Sequence, residues 1–262
     1  MAIDAKIEEY RFPEDSLHGS AEDVKNFFAA EKARKDSDYK AKMLSEKVDF
    51  GVDSAGKKEV DSKPEYKSYT IIPADTYALG VAALKDKGKV PFSFEQNIEA
   101  RLQDYEAKGD KSELFGTWLD SITGIAYKKR STKFKVKPVC DELKNIPAGF
   151  KKNFLPVDYK SFDGVELDSA EPGVKYNQDL TREEAKAHKG WLAAMNGNQA
   201  LLNKYVDTWF DKTRRKQGMG FYVISDTGEG QLRSVVLSND NYSSVVVSNR
   251  YLLDSARFVS EK

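Results

Sequence analysis

Residues 220–259 read GFYVISDTGEGQLRSVVLSNDNYSSVVVSNRYLLDSARFV, and their pattern decides the expected fold of the C-terminal part of the chain. Apolar and polar residues alternate in GFYVIS, QLRSVVLS, SSVVVS and ARFV, which is the period of a strand with one buried face. The TGEG segment and the Ser-Asn-Asp-Asn cluster are turn signals. The stretch therefore predicts a β-meander, in which consecutive strands pair with each other.

The same region lacks five amino-acid types. From Leu232 to Ser260 there is no Lys, Glu, Gln, Met or Trp, although these types make up 64 of the 262 residues (32 Lys, 19 Glu, 6 Gln, 4 Met and 3 Trp). A random draw of 29 residues from this composition would miss all five types on the order of three times in ten thousand. Strands are poor in Lys and Glu, which accounts for part of the gap. The rest of the gap needs another cause.

Helical patterns occupy much of the chain ahead of these strands. A capping box of Ser93 and Gln96 opens FEQNIEARLQDYEAKG, and a second box of Thr181 and Glu184 opens TREEAKAHKGWLAAM. PADTYALGVAALKDKG, SELFGTWLDSITGIAY and NQALLNKYVDTWFDKTRRK also carry apolar residues at helical spacing. KKRSTKFKVKP (128–138) alternates like a strand. Because strands do not alternate regularly with helices, the order indicates an α+β fold.

The chain offers few residues for nucleophilic or zinc-dependent catalysis. Its two histidines, His18 and His188, lie in a polar segment and in a predicted helix, so they do not form a metal-binding pair. The single cysteine, Cys140, excludes an intramolecular disulfide. A Cys140–His188 nucleophilic pair is formally open, but a lone cysteine beside a strand more often packs in a core. We expect a protein that is not an enzyme and has no catalytic residues.

Carboxylates and glycines form no site of recognisable spacing. Asp163, Glu166 and Asp168 in FDGVELD offer oxygen ligands for Mg²⁺ or Ca²⁺, yet the segment lacks the spacing of a calcium loop. GMGFY and TGEGQ lack the Lys-Ser/Thr of a phosphate-binding loop and do not lead into helices. We therefore predict no metal and no cofactor, and a carboxylate-dependent hydrolase is only a third hypothesis.

A basic segment suggests the main alternative function. Six cations follow one another closely, with Tyr127 and Phe134 between them: Lys128, Lys129, Arg130, Lys133, Lys135 and Lys137. Such a surface, extended over 127–152, is suited to nucleic acid. The same lysines are also typical of an edge strand protected from pairing with another sheet. Because 42 acidic residues balance 42 basic ones, we favour the edge strand and regard nucleic acid as the less favoured partner.

The loop positions of 232–254 are rich in Asn, Ser, Tyr and Asp. These residues are typical of antibody-like binding surfaces, in which Tyr supplies rigid amphipathic area while Ser and Asn supply adaptable hydrogen bonds. Loops on a rigid sheet are also where binding sites usually lie. An ordinary meander with polar turns would have a similar composition, so the residues alone leave both interpretations open.

The C-terminal part resembles the variable proteins of diversity-generating retroelements, which have a C-type-lectin fold. The resemblance covers HKGWLAAM, LLNKYVDTWF and the stretch from GMGFYVIS to ARFV. In that family, a reverse transcriptase copies a template with errors at adenines, and the copy replaces the 3′ end of the gene. Asn codons altered in this way never encode Lys, Glu, Gln, Met or Trp, the five types missing here. LRS and ARF stand where better-known members have Gly-Gly-Ser-Trp and Gly-Phe-Arg signatures.

The resemblance implies a non-enzymatic binding protein that presents a variable region, 236–254, to a protein ligand. It implies ligand-binding roles for nine residues: Ser238, Asp240, Asn241, Tyr242, Ser243, Val245, Val247, Asn249 and Tyr251. It also implies a constant scaffold that contains Trp191, Trp209, Phe221, Leu232, Arg233, Leu237, Arg257 and Phe258. Members of the family are often independent of calcium.

Three parts are expected along the chain. Residues 1–69 form a polar arm and linker, and 70–127 form a mainly helical region. Residues 128–262 form a C-type-lectin-like domain, with two helices on a small antiparallel sheet.

The chain contains no run of 18 apolar residues, so no transmembrane helix is predicted. The start, MAIDAKIEEYRFPEDS, lacks the apolar core of a signal peptide. We expect a protein of the cytoplasm, or one displayed on a virion or cell surface by another route. The oligomeric state is left open.

Overall fold

The structure is a computed structural model that describes residues 67–172, 174–223, 230–239, 245–250 and 252–261. Contacts group Lys63–Lys262 into one unit. The predicted arm and linker lie outside the described residues, apart from 67–69. Within the described ranges the longest helices have 15 residues, and none combines the length and apolar character that a membrane crossing requires.

The described residues contain ten β-strands, six α-helices and one short 3-10 helix. The strands are β1 (Tyr69–Ala74), β2 (Leu119–Tyr127), β3 (Lys133–Lys137), β4 (Leu155–Pro156), β5 (Val165–Asp168), β6 (Asp179–Thr181), β7 (Gln217–Tyr222), β8 (Gln231–Asn239), β9 (Val245–Arg250) and β10 (Ala256–Glu261). The α-helices are α1 (Tyr77–Lys85), α2 (Phe94–Lys108), α3 (Asp141–Lys144), α4 (Arg182–Ala187), α5 (Lys189–Ala194) and α6 (Gln199–Thr213); the 3-10 helix is Gly109–Lys111. The α+β class is confirmed.

Eight strands form a main sheet, and the other two form a separate terminal sheet. The main sheet has the order β5-β3-β2-β8-β9-β7-β6, and β4 pairs with β8 beside this path. The terminal sheet pairs β1 with β10 in antiparallel fashion, from Tyr69 opposite Glu261 to Ala74 opposite Ala256. The first and last described strands are therefore partners, although nearly 200 residues separate them along the chain.

The predicted β-meander is wrong in its pairing. β8 and β9 are antiparallel neighbours, but β7 lies on the far side of β9 and runs parallel to it, with Met219 opposite Val245. β10 pairs with β1 instead of continuing the main sheet. Alternation of apolar and polar residues identifies a strand and its two faces. Which strands pair depends on the path of the chain between them, and the sequence pattern does not give that path. The four predicted strand segments are thus present, but their order in the sheet differs.

The helix predicted over SELFGTWLDSITGIAY is also wrong. Leu119–Tyr127 form β2, which pairs with β3 on one side and β8 on the other, and all nine residues are buried. Leu114, Trp118, Leu119 and Ile122 have helical spacing, while the polar residues of β2, among them Asp120 and Ser121, are buried and conceal the strand pattern. The segment 70–127 therefore contains β1 and β2 besides two of its predicted helices, and the expected boundary between 127 and 128 falls at the turn of the β2–β3 hairpin.

The segment around Pro73 forms a strand rather than the start of a helix. Pro73 lies in β1 opposite Arg257, and a residue without an N–H is tolerated there because β1 has one partner among the described strands. The helix begins later, at Tyr77. The Thr76 side chain caps it by accepting a hydrogen bond from the Leu79 N–H (3.3 Å).

Two hydrophobic clusters lie on opposite faces of the main sheet. Successive residues of β2 contribute to different clusters: Ile125 belongs to the first and Ala126 to the second. The first cluster packs α2, α4, α5 and α6 on the sheet, and the second packs α1 and β10. The implied scaffold residues are buried, apart from the half-buried Arg257: Trp191, Trp209, Phe221, Leu232, Arg233, Leu237 and Phe258. Their predicted place in the interior is confirmed.

Candidate functional site

The predicted variable region covers the end of β8, all of β9 and the segments that follow each strand. Five of the nine predicted ligand-binding residues lie outside the described residues: Asp240, Asn241, Tyr242, Ser243 and Tyr251. For the other four, Ser238, Val245, Val247 and Asn249, the structure gives the backbone pairing. We call the end of the main sheet at which β8 passes into β9 the hairpin end.

The register divides β9 into two rows of alternate residues. Val247 lies opposite Leu237 on one side and Phe221 on the other, and both partners are fully buried in the first cluster. Opposed residues of neighbouring strands share a face of the sheet. Val245 and Asn249 belong to the same row as Val247. Three of the predicted binding residues therefore share a row with residues of the first cluster. The other row consists of Val246, Ser248 and Arg250, and the β8 residues opposite Ser248 and Arg250 are also buried.

Residues outside the variable region border the hairpin end on the β2 side. Leu119 lies opposite Leu237, which is near the end of β8. Trp118, the residue before β2, therefore lies beside the hairpin end. Trp118 is half-buried, and the guanidinium carbon of Arg257 lies over its indole, 3.7 Å from the ring centroid. The Arg257 N–H donates a hydrogen bond to Asp120 Oδ2 at 2.8 Å. Tryptophan and arginine are the side chains that most often carry binding energy at protein interfaces.

Arg101 lies beneath the same end of the sheet and is fully buried. Its Nη1 donates to the Tyr205 hydroxyl at 2.9 Å, and its Nη2 donates to the main-chain oxygens of Thr117 and of Leu237, the latter at 3.3 Å. Among the described residues, no carboxylate lies within ion-pair distance of Arg101. A buried cation is costly unless polar groups compensate it. Here carbonyl and hydroxyl oxygens accept from the two terminal nitrogens, while Nε has no partner among the described residues.

These contacts give Arg101 a role in positioning the hairpin end. It connects α2 and α6 with the segment ahead of β2 and with the last residues of β8. Two of the three acceptors are main-chain oxygens, so the connection does not depend on the side chains at 117 and 237. The sequence carried a signal for it, since Arg101 lies on the stripe of Phe94, Ile98 and Tyr105, where a charged residue interrupts an apolar row.

The basic segment proposed as an alternative site is not an edge strand. β3 lies between β2 and β5, and the edge position belongs to β5. Lys133 Nζ lies 3.2 Å from Glu166 Oε1, and Lys137 pairs with a carboxylate of α3 at 3.5 Å. Lys135 Nζ donates to the main-chain oxygen of Tyr159 at 3.1 Å. The three lysines of β3 are thus engaged within the molecule, which weakens the argument for nucleic acid.

The acidic segment FDGVELD is likewise used for local contacts. Hydrogen bonds from Lys133 and then from the Tyr159 hydroxyl lower the pKa of Glu166. Asp168 Oδ1 accepts a hydrogen bond from the Ala170 N–H at 2.9 Å. Within the described part of the chain, no three His, Cys, Asp or Glu side chains form a group suited to a metal ion. These carboxylates therefore give no geometric support to a metal site.

Cys140 and His188 lie in different environments. Cys140 is buried in the second cluster, and burial together with a hydrogen bond to Glu142 raises the pKa of its thiol to about 12, so the nucleophilic thiolate is disfavoured. His188 Nδ1 accepts from the Gly190 N–H at 3.1 Å, and its Nε2 lies 2.6 Å from the main-chain oxygen of Lys175. Burial lowers the pKa of His188, so the ring is neutral and caps α5. The contacts of both residues are structural.

No family model and no curated protein matches the sequence. A solved structure from Nanoarchaeota, described as the accommodation of massive sequence variation by the C-type lectin fold, is similar to this chain with a TM-score of 0.59. The chain has a C-type-lectin-like fold. The two sequences are 15% identical, and the match covers 76% of this chain and 99% of that chain.

The extent of the match bears on the limits of the C-type-lectin-like fold. Of 262 residues, 76% is about 199, which exceeds the 135 residues of 128–262. The matched fold is therefore not limited to the part expected from the sequence, in agreement with the pairing of β1 with β10 and of β2 with β8. At this identity the likeness establishes the fold, and function has to be argued from the site.

Proposed function

We propose that this chain is a variable protein of the kind made by diversity-generating retroelements, a non-enzymatic binding protein. The hairpin end of its C-type-lectin-like fold would present side chains of the region 236–254 to a protein ligand. Recognition requires no reaction step. The ligand contacts side chains that differ between copies of the gene, while the main sheet and its helices keep the backbone constant.

One observation carries this proposal. The segment without Lys, Glu, Gln, Met and Trp is bounded by Gln231 and Glu261, which are the first residue of β8 and the last residue of β10. The compositional gap thus coincides with the last three strands of a C-type-lectin-like fold. The Nanoarchaeota protein of the same fold is described as accommodating massive sequence variation. Strand propensity accounts for part of the shortage of Lys and Glu, whereas Asn codons altered at adenines exclude all five missing types.

The local structure supports tolerance of such variation. Surface substitutions away from caps and core contacts change stability by within about 0.5 kcal/mol. The hairpin end is attached through main-chain ladders of β8 and β9 and through the hydrogen bonds of Arg101, none of which requires a particular variable side chain.

The decisive test is the gene itself. Deep sequencing of this locus in a growing population is expected to show substitutions confined to codons of 236–254 and concentrated at adenines of a nearby template copy. The codons of β2 serve as the internal control, since they encode buried residues of the same sheet. Substitutions spread evenly over both segments, or absent from 236–254, would contradict the proposal.

We expect the double variant Tyr242→Ala/Tyr251→Ala to keep the free energy of unfolding within about 1 kcal/mol of the parent, because both residues are predicted to face the ligand. The matched change is Tyr205→Ala, which removes a fully buried tyrosine of the first cluster and is expected to cost about 3 kcal/mol. Urea unfolding compares the two variants. A loss in the double variant as large as that in Tyr205→Ala would place these tyrosines in the core.

A further inference from the structure

A basic triplet lies beside the hairpin end on the β7 side. Arg214, Arg215 and Lys216 connect α6 with β7, and all three are exposed. β7 runs parallel to β9 with Met219 opposite Val245, and β7 begins two residues earlier, at Gln217. The triplet therefore precedes β7 at the level where the chain enters β9. We call these three residues the basic rim.

Arg214 and Lys216 of the basic rim differ from the other cations around α6. Those cations are paired with carboxylates of neighbouring elements: Lys186 with Asp207 (2.8 Å), Lys204 with Glu106 (2.6 Å), Lys212 with Asp110 (3.4 Å), and Arg182 with Asp207 and Asp211. Among the described residues, no carboxylate lies within ion-pair distance of Arg214 or Lys216. Arg214 and Lys216 therefore add two exposed positive charges beside the hairpin end that no described carboxylate within ion-pair distance balances.

We propose that the basic rim is a constant electrostatic element of the binding surface, which restricts the ligands of this protein to partners with an acidic surface. The statement that the hairpin end is the ligand face rests on the proposed function. Charges at the border of an interface mainly raise the association rate and exclude partners of like charge. Their influence extends over roughly 10 Å at moderate ionic strength and decreases as salt is added. The detailed ligand preference would then change with the variable side chains, while the preference for acidic partners would stay the same.

The chain offers a matched control for this inference. Lys128, Lys129 and Arg130 form a second exposed triplet with the same charge, in the turn between β2 and β3. That turn lies at the opposite end of the main sheet, because Leu119 at the other end of β2 pairs with Leu237. Each triplet contains one residue with a positive φ, Arg130 at 48° and Arg214 at 54°.

The experiment measures binding of the full chain to immobilised poly-L-glutamate by interferometry at low ionic strength. We expect Arg214→Ser/Arg215→Ser/Lys216→Ser to weaken binding by about tenfold, and the same three changes at 128–130 to weaken it by less than about twofold. The single variant Lys216→Glu is expected to reduce binding without altering the thermal unfolding temperature, since Lys216 is exposed. Addition of salt should abolish the difference between the triplets.

Three results would overturn the inference. They are equal losses for the two triplets, absence of binding by the parent chain, and tighter binding to a single-stranded oligonucleotide than to poly-L-glutamate. The last result would favour the nucleic-acid alternative. Sequencing of the locus tests the proposed function independently of this binding experiment. If the basic rim binds poly-L-glutamate but sequencing shows no variation in 236–254, the docking surface is supported and the proposed diversification is excluded.

Discussion

A fragment of residues 128–262 will not fold, whereas a fragment of residues 63–262 will keep the native fold. The shorter fragment contains everything that the sequence assigned to the lectin-like part, but it lacks β1 and β2. Without β2, β3 and β8 lose the strand that lies between them. Without β1, β10 loses its only partner in the terminal sheet, from Ala256 to Glu261. Both hydrophobic clusters also lose residues, because Ile125 and Ala126 belong to different ones.

Near-ultraviolet circular dichroism and thermal unfolding compare the two fragments. The longer one should show fixed aromatic environments and a single cooperative transition, since it corresponds to the unit that contacts define. The shorter one should show neither. A cooperative transition in the 128–262 fragment would mean that β2 is dispensable, and the central place of β2 in the sheet would be wrong.

Arg101→Met is expected to lower the free energy of unfolding by about 4 kcal/mol. Methionine fills a similar volume but donates no hydrogen bonds, so the main-chain oxygens of Thr117 and Leu237 lose the donor that Arg101 supplies. Loss of such a donor costs about 1–3 kcal/mol for each acceptor. The effect should also be local: amide hydrogen exchange in β8 and β9 should accelerate more than exchange in β3 and β5.

The control for Arg101 is another arginine of the same unit. Arg182 pairs with Asp207 and Asp211 at a partly exposed site, and Arg182→Met should cost less than about 1 kcal/mol. Tyr205→Phe removes one acceptor of Arg101 and leaves the others, so an intermediate loss of about 1 kcal/mol is expected. If Arg101→Met and Arg182→Met were equally mild, Arg101 would not position the hairpin end.

The sequence predicted elements with local signals better than it predicted their partners. Both capping boxes are present: the Ser93 hydroxyl accepts from the Gln96 N–H at 3.2 Å, and Thr181 does the same for Glu184 at 3.4 Å. Such motifs are decided by residues three positions apart. β2 was taken for a helix because Leu114, Trp118, Leu119 and Ile122 have helical spacing, whereas its burial results from its distant partners β3 and β8.

The candidate site shows the same division. Composition identified the region from β8 to β10, and the register then separated Val247 from its neighbour Ser248 in β9. The residues that adjoin this region, Trp118 and Arg101, are more than a hundred positions away along the chain. Neither a short motif nor a compositional window connects positions so far apart. Their roles follow from the pairing of Leu119 with Leu237, which only the folded chain reveals.

The terminal sheet has a consequence for engineering. Tyr69 lies opposite Glu261, and Lys67 Nζ is 2.7 Å from Glu261 Oε1, so the chain enters and leaves the folded unit at neighbouring points. A short linker is enough to join these points, and new termini can then be opened elsewhere in a circularly permuted version. For the same reason the unit can be inserted into a surface loop of a host protein without separating the two ends of that loop.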